Sequence, residues 1–459
     1  MTAGDPITPA TVAPASYAEA VRALTERGRF GIRLGLGRTR ALLRELGDPQ
    51  LAFRGALIGG TNGKGSVLAL VSSVLRAAGK RAGETPKPHL VSYRERMQIA
   101  GVPIDPATFA RLVADVLPVA ARVARRHGDP TEFELLTAMI YRWFADERVD
   151  LAVVEVGLGG RLDATHAWDG GVAAITNVDL DHMDRLGDTI RAIAREKAAI
   201  IERGDVAVTG ASGEALEIIA RRARRLRVSL TVATPAPLVG WDRDGIVVEL
   251  PRLGATRVGL RGRHQAANVA VADAVLDALE AAGIAATTPE ERRAGFAAAR
   301  WPGRLELLDI DGRDVLLDGA HNPAGAAALA VALDDLRPHL RGGRPTLVTA
   351  SMADKDVDGV VRALATAAAL RGARIVATSL DAPRALDAAS IAAIWRRILP
   401  GSDPLVVPRP ESALDAALAQ GDGPVVVAGS LYLVGAARAH LVVDPLLRDP
   451  DEGSEEAPR

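Results

Sequence analysis

The sequence predicts an α/β protein, doubly wound about parallel sheets. Two observations carry this. Apolar runs of five to seven residues alternate with amphipathic helical stretches along almost the whole chain. The runs are apolar on both faces, as strands covered by helices on either side must be. Strands are expected at 55–58, 151–156, 172–177, 206–209, 315–318, 346–350, 374–378 and 424–428. Helices are expected at 67–78, 132–145, 190–201, 266–282 and 323–336. Between 226 and 261 the pattern shortens to pieces at 229–232, 246–250 and 256–260, which read as a small antiparallel insertion or edge. Trp301-Pro302-Gly303 then punctuates a fresh βα series. The boundary is placed there, giving domains at 1–299 and 300–447 and an acidic, Pro/Gly-rich tail at 448–459 expected to be disordered.

Composition narrows the function. The 459 residues are 48% hydrophobic and 25% charged, enough apolar material for real cores and unlike a disordered chain. A net charge of -1 argues against a nucleic-acid or membrane-surface partner. Without cysteine there is no disulfide framework, Cys-zinc site, iron–sulfur cluster or thiol nucleophile. Residues 1–15 are Pro/Thr/Ala-rich, carry no secretory pattern and are expected to be loose. No apolar stretch reaches 18 residues, so no membrane span and a cytoplasmic location are expected. Only five of the 56 basic residues are Lys: Lys64, Lys80, Lys87, Lys197 and Lys355. Lys is a compact point charge that can lose its proton and react, which Arg cannot. Each retained Lys is therefore a candidate for chemistry.

Three motifs hold the polar residues that matter. Gly59-Gly60-Thr61-Asn62-Gly63-Lys64-Gly65-Ser66 follows an apolar strand and opens a helix. Glycines admit a phosphate close to the backbone, and a helix N-terminus favours an anion. Lys64 is placed to reach terminal phosphates and the Ser66 hydroxyl to touch Mg²⁺. Gly65 between Lys and Ser departs from the common P-loop spacing. Next, Glu155 ends an apolar strand before Gly157-Leu158-Gly159-Gly160, where a carboxylate can hold Mg²⁺ against a nucleotide. Third, His182 stands among Asp179, Asp181 and Asp184 after another strand. It reads either as a metal or phosphate contact or as part of a solvated loop. Lys197 follows in an amphipathic helix, where a surface ion pair is the simpler reading.

Taken in order, these and further motifs resemble the Mur ligase superfamily, most closely the folylpolyglutamate synthase family with its bifunctional dihydrofolate synthase members. The matching stretches are GTNGKGS at 60–66, PHL at 88–90 with ERM at 95–97, EVGLGGRLDAT at 155–165, ITNVDLDHMDRLGDTI at 175–190 and EKAAII at 196–201. They continue with GxHQxxN at 262–268, WPGRLE at 301–306 and DGAHNP at 318–323. The opening FGIxLGL at 30–36 also looks like the folate branch. The resemblance implies a P-loop-like N-terminal ATPase domain and a smaller Rossmann-like C-terminal domain. It implies ATP contacts at Thr61, Asn62, Gly63, Lys64, Gly65 and Ser66, and at Asn268, Arg304 and Asp318, with His321 nearby and catalytic. It implies two Mg²⁺ sites drawing on Ser66, Glu155 and His182, and a CO₂-derived carbamate on Lys197 that binds metal and serves catalysis with Lys64. Arg cannot form such a carbamate, because it does not deprotonate.

The implied reaction is ATP-dependent amide ligation of L-glutamate to a folate or dihydropteroate through an acyl phosphate, by a monomer. A Mur-type ligase acting on a cell-wall precursor is the runner-up. Arg94 and Arg96 are candidates for binding the anionic glutamate. Two residues depart from the family pattern. Lys87 stands where the family often has a Mg²⁺-binding Ser: either it points at phosphate or partly replaces a metal's charge, with Thr85 or water as ligand, or it is an exposed loop residue. His166 stands where Asn is common, as a further ligand or as a solvent-facing substitution.

Overall fold

The structure, a computed structural model, describes residues 14–450 except 15, 32, 383 and 447. Most of the expected loose N-terminus, Ile32 of the FGIxLGL stretch and the tail from 451 onward lie outside the described residues. The chain forms two compact units. Pro235–Val269 and Arg293–Pro445 make the second, and the remaining described chain makes the first.

The first unit is built on an eight-stranded sheet. Its strands are β1 (Gly55–Gly59), β2 (Ala82–Thr85), β3 (Gln98–Ile99), β4 (Val102–Pro103), β5 (Leu151–Glu155), β6 (Gly171–Ile175), β7 (Val206–Thr209) and β8 (Ser229–Val232). Their order is β4-β3-β2-β5-β1-β6-β7-β8. Six are parallel, and the short β3–β4 hairpin pairs antiparallel at the β2 edge. β1 is central and buried along its whole length, as strands covered on both faces are. Phe53, just before it, packs against Tyr141, Phe144 and Trp168 at ring separations of 5.5–6.0 Å, and the Trp168 indole donates to the Phe53 carbonyl at 3.3 Å. These rings anchor the N-terminal end of β1, so its C-terminal end delivers the glycine loop to a fixed place. The Lys64–Ala77 helix that follows is buried over most of its length. The Glu132–Asp146 helix starts on a capping box between Thr131 and Glu134.

The second unit contains a three-stranded antiparallel sheet of β9 (Leu238–Asp242), β10 (Gly245–Leu250) and β11 (Gly254–Val258). It also contains a six-stranded sheet of β12 (Glu306–Ile310), β13 (Arg313–Asp318), β14 (Thr346–Thr349), β15 (Arg374–Ala377), β16 (Leu405–Val406) and β17 (Val425–Ala428), ordered β12-β13-β17-β14-β15-β16. Only β12 runs antiparallel in it. One assignment is corrected. Ser229–Val232 belongs to no antiparallel insertion; it is β8, parallel to β7 at the edge of the first sheet. Its mostly exposed side chains give it the polar alternation that reads as an insertion. The third strand of the antiparallel sheet is β9, absent from the sequence reading. Among the described residues no helix is long and apolar enough to cross a membrane.

Candidate active site

Open α/β sheets bind ligands at the C-terminal ends of their strands, where the topology switches direction. In the first unit that place is the end of β1, between the ends of β5 and β6. Gly60 has φ 144°, and a Cβ there would stand 1.9 Å from the Thr176 hydroxyl. Gly63 has φ 79° and turns the chain into the Lys64–Ala77 helix, whose first amides receive no side-chain cap. Uncapped amides at a helix N-terminus are an anion site. The residues after β6 hold the loop in shape. Asn177 accepts from the Asn62 amide through its side chain at 2.8 Å and from the Thr61 amide through its carbonyl at 3.1 Å, while the Thr176 hydroxyl donates to the Asn62 carbonyl at 2.6 Å. Thr176 and Asn177 were legible as part of a motif, but their task of shaping the loop was not.

Two lysines converge on one oxygen. The Lys64 ammonium donates to the carbonyls of Gly60 at 3.1 Å and Thr61 at 3.0 Å. Lys197, only 4% exposed, donates to the same Gly60 carbonyl at 2.8 Å. Lys197 is thus no surface ion-pair residue; the apolar face of the Ile190–Ala198 helix carries it inward. Burial lowers its pKa to about 7, reinforced by the charge of Lys64 and opposed by Asp181 and Asp163. A pocket here is lined by Gly60, Thr61, Lys64, the residues from Val156 to Gly159, Asp181, His182, Leu186 and Lys197. His182 has a left-handed backbone (φ 49°) and is exposed, its amide held by the Asp181 carboxylate at 2.9 Å.

Glu155, 4% exposed, closes β5 and is tied to Lys87 twice. The Lys87 amide donates to its carboxylate at 2.9 Å, and the Lys87 ammonium donates to its backbone carbonyl at 2.6 Å. The same ammonium lies 4.7 Å from the Phe133 ring centre. Burial lowers the Lys87 pKa to about 8 against the raising effect of Asp163 and Glu155. Lys87 is therefore not an exposed loop residue. Asp163, 3% exposed, organises the turn after β5 by accepting from the Leu158 amide at 2.8 Å and the Thr165 amide at 3.0 Å. His166 is neither solvent-facing nor among the residues lining the pocket. It is buried, with Nδ1 3.2 Å from the Arg161 carbonyl and Nε2 3.3 Å from Glu202. Arg94 is buried and donates to the Leu446 carbonyl, and Arg96 donates to His89 Nδ1 at 2.8 Å.

In the second unit, Asp318 ends β13. Its carboxylate accepts from the amides of Leu305 and Ala320, both at 2.9 Å. Burial raises its pKa, opposed by the charges of Arg304 and His264. Arg304 donates to the Gly303 carbonyl at 3.2 Å, His321 Nδ1 lies 2.8 Å from the Gly319 carbonyl, and Asn268 donates to the Gln265 side chain at 2.8 Å. The first unit thus brings Thr61, Lys64, His182 and Lys197 to one pocket, with Asn62, Gly63, Gly65 and Ser66 in the adjoining loop and helix start and Glu155 outside the pocket lining. Asn268, Arg304, Asp318 and His321 belong to the second.

Divalent cations such as Mg²⁺ take hard oxygen donors, sometimes with imidazole. Ser66, Glu155 and His182 supply that donor set, and the Thr85 hydroxyl is buried without a hydrogen-bond partner on β2, next to β5. Among the described residues no cluster of three or more His, Asp or Glu side chains could hold a metal alone. The donors fit an ion that arrives with a phosphate ligand rather than a closed protein cage.

A glycine loop presenting uncapped amides and two lysines at the switch point of a parallel sheet defines a nucleotide-using α/β enzyme. Residues 58–276 match the Mur ligase middle domain, and residues 303–431 match the Mur ligase glutamate ligase domain. The dihydrofolate synthase/folylpolyglutamate synthase of Bacillus subtilis is 34% identical over 380 residues, which is 81% of this chain and 86% of that protein. Among solved structures, folylpolyglutamate synthase of Mycobacterium tuberculosis complexed with ADP and AMPPCP superposes with TM-score 0.80 at 34% identity, covering 93% of this chain and 100% of that one. The bifunctional Yersinia pestis enzyme complexed with AMPPNP and a Mn ion gives 0.77 at 29% identity, covering 94% and 98%. The chain belongs to the Mur ligase family, among its folylpolyglutamate synthase/dihydrofolate synthase members, which are ATP-dependent ligases.

Proposed function

We propose that this protein joins the amine of L-glutamate to a carboxylate of a folate or a dihydropteroate, with ATP as the activating substrate. The observation that carries its ATP step is the shared Gly60 carbonyl: two lysine side chains meet there at 3.1 and 2.8 Å beside an uncapped helix N-terminus. Lys64 and the free amides of that helix start favour an arriving polyanion, and a triphosphate supplies one.

The chemistry follows from what a carboxylate lacks. It is a poor electrophile, so its oxygen attacks the γ-phosphorus of ATP and ADP leaves, giving an acyl phosphate. The glutamate amine then attacks the acyl carbon, phosphate leaves, and the amine proton is lost. Lys64 and the amides of 63–66 hold the phosphoryl group and stabilise the charge that develops on it. When bound, a divalent ion neutralises γ-phosphate charge; Ser66, Glu155 and His182 are the residues to hold it. Lys197 reacts as the neutral amine. Its nitrogen attacks CO₂, a C–N bond forms, a proton is released, and the amine becomes a carbamate that carries a carboxylate. Asn268, Arg304, Asp318 and His321 of the second unit are the further nucleotide-site residues that the family resemblance implies.

ADP release tests the reading, with dihydropteroate and tetrahydrofolate offered separately, each with and without glutamate. ADP release that requires glutamate, with at least one of the two acceptors, is expected. Release indifferent to glutamate, or a stable phosphorylated product, contradicts ligation.

A further inference from the structure

The loop after β2 brings a cation to the carboxylate end of β5. Lys87 is locked to Glu155 by two bonds, one from its amide to the carboxylate and one from its ammonium to the backbone carbonyl. Its ammonium is flanked by the Phe133 ring and by the charges of Glu155 and Asp163. Phe133 is fixed by the capped start of the Glu132–Asp146 helix. It also packs against the turn after β5, where a Cβ on Gly157 would meet the Phe133 ring at 2.9 Å and Asp163 at 3.1 Å. The ammonium is thus wedged in place rather than free to swing to solvent.

A second divalent ion on the Glu155 carboxylate would have to share that carboxylate with the Lys87 amide, while the Lys87 ammonium already sits on the carbonyl of the same residue, and cations gathered on one residue repel. We propose that Lys87 is a built-in counter-ion at Glu155 that takes the place of one divalent cation, so that the nucleotide-loaded protein holds one such ion rather than two. The inference rests on the ligase reading above and refines its metal requirement. Lys87 is then a positioning residue: it fixes Glu155 and sets the charge of the site without touching the reacting atoms.

The test counts metal directly. Protein saturated with AMPPCP, which cannot transfer its γ-phosphate, is titrated with Mn²⁺, and free Mn²⁺ is followed by electron paramagnetic resonance. The wild type is expected to bind one Mn²⁺ per bound AMPPCP. Lys87→Ser removes the ammonium and adds an oxygen ligand, and is expected to bind two. Two Mn²⁺ per chain in the wild type overturns the proposal whatever the variants do. So does a single Mn²⁺ in a Lys87→Ser protein that melts as the wild type does. If Lys87→Ser fails to fold, Lys87→Met keeps the stem over Phe133 and is expected to show a second Mn²⁺ of at least tenfold weaker affinity; its absence is equally fatal. Failure of AMPPCP to bind at all would instead overturn the ligase reading, and the proposal with it.

Discussion

The C-terminal end of β1 in the first unit and that of β13 in the second are both strand ends on largely parallel sheets, yet they hold charge in opposite ways. At β1, Lys64 and Lys197 rest on a single neutral carbonyl, and burial lowers the Lys197 pKa to about 7. At β13, the Asp318 carboxylate is clasped by two backbone amides, with Arg304 and His264 supplying opposing charge. The second end is clasped by its own residues, while the first leaves its lysines on neutral carbonyls for an anion to meet. Perturbing the first should therefore damage chemistry and spare the fold, and perturbing the second should damage the fold as well.

The sharpest break is Lys64→Ala. Losing a cation that meets developing phosphoryl charge costs roughly 10²–10³-fold or more in turnover. The thermal melt should stay near the wild-type value, because Lys197 still donates to the Gly60 carbonyl that Lys64 leaves. Lys197→Ala is expected to lose activity comparably, with partial recovery in acetate or another short carboxylate that replaces the carbamate. The wild type adds a pH test. Only the neutral amine attacks CO₂, and its pKa is lowered to about 7, so the neutral fraction rises with pH through that value. Activity of enzyme pre-equilibrated with bicarbonate should climb from pH 6 to 8, and Lys197→Ala rescued by acetate should lack that rise.

Asp318→Ala sits on the other side of the comparison. It leaves the Leu305 and Ala320 amides unpaired, at about 1–3 kcal/mol each when buried. Denaturant unfolding should show that loss, and nucleotide affinity should fall with it. The smallest effect is expected for His166→Asn. A single contact to half-exposed Glu202 contributes at most about 1 kcal/mol, so stability drops slightly and turnover holds.

Legibility followed the same division. Strands apolar on both faces, such as β1, β5, β7 and β17, were plain in the sequence because burial leaves no room for polar alternation. The edge strand β8 was misassigned because three of its four side chains are exposed. The short β2 was missed because Ala82, Gly83 and Glu84 are poor strand formers; Glu84 is buried with its carboxylate paired to Arg76 at 2.8 Å. The long Pro106–His127 helix went unread because Pro118 interrupts its pattern from within. At the site, the loop lysine and Glu155 were readable because each lies within a contiguous motif at a strand end. The tie between Lys87 and Glu155 joins residues 68 positions apart, and only the parallel pairing of β2 with β5 makes it. Local patterns reveal strand ends; they do not reveal which two ends become neighbours.

The central claim is that ATP activates a substrate carboxylate by phosphorylating it. Tracing oxygen tests this most directly. Folate or dihydropteroate labelled with ¹⁸O in its carboxyl group is turned over with ATP and glutamate, and the released phosphate is weighed by mass spectrometry. One ¹⁸O in each phosphate is predicted, because the acyl–oxygen bond breaks when the amine attacks. Unlabelled phosphate accompanying amide formation would contradict the account.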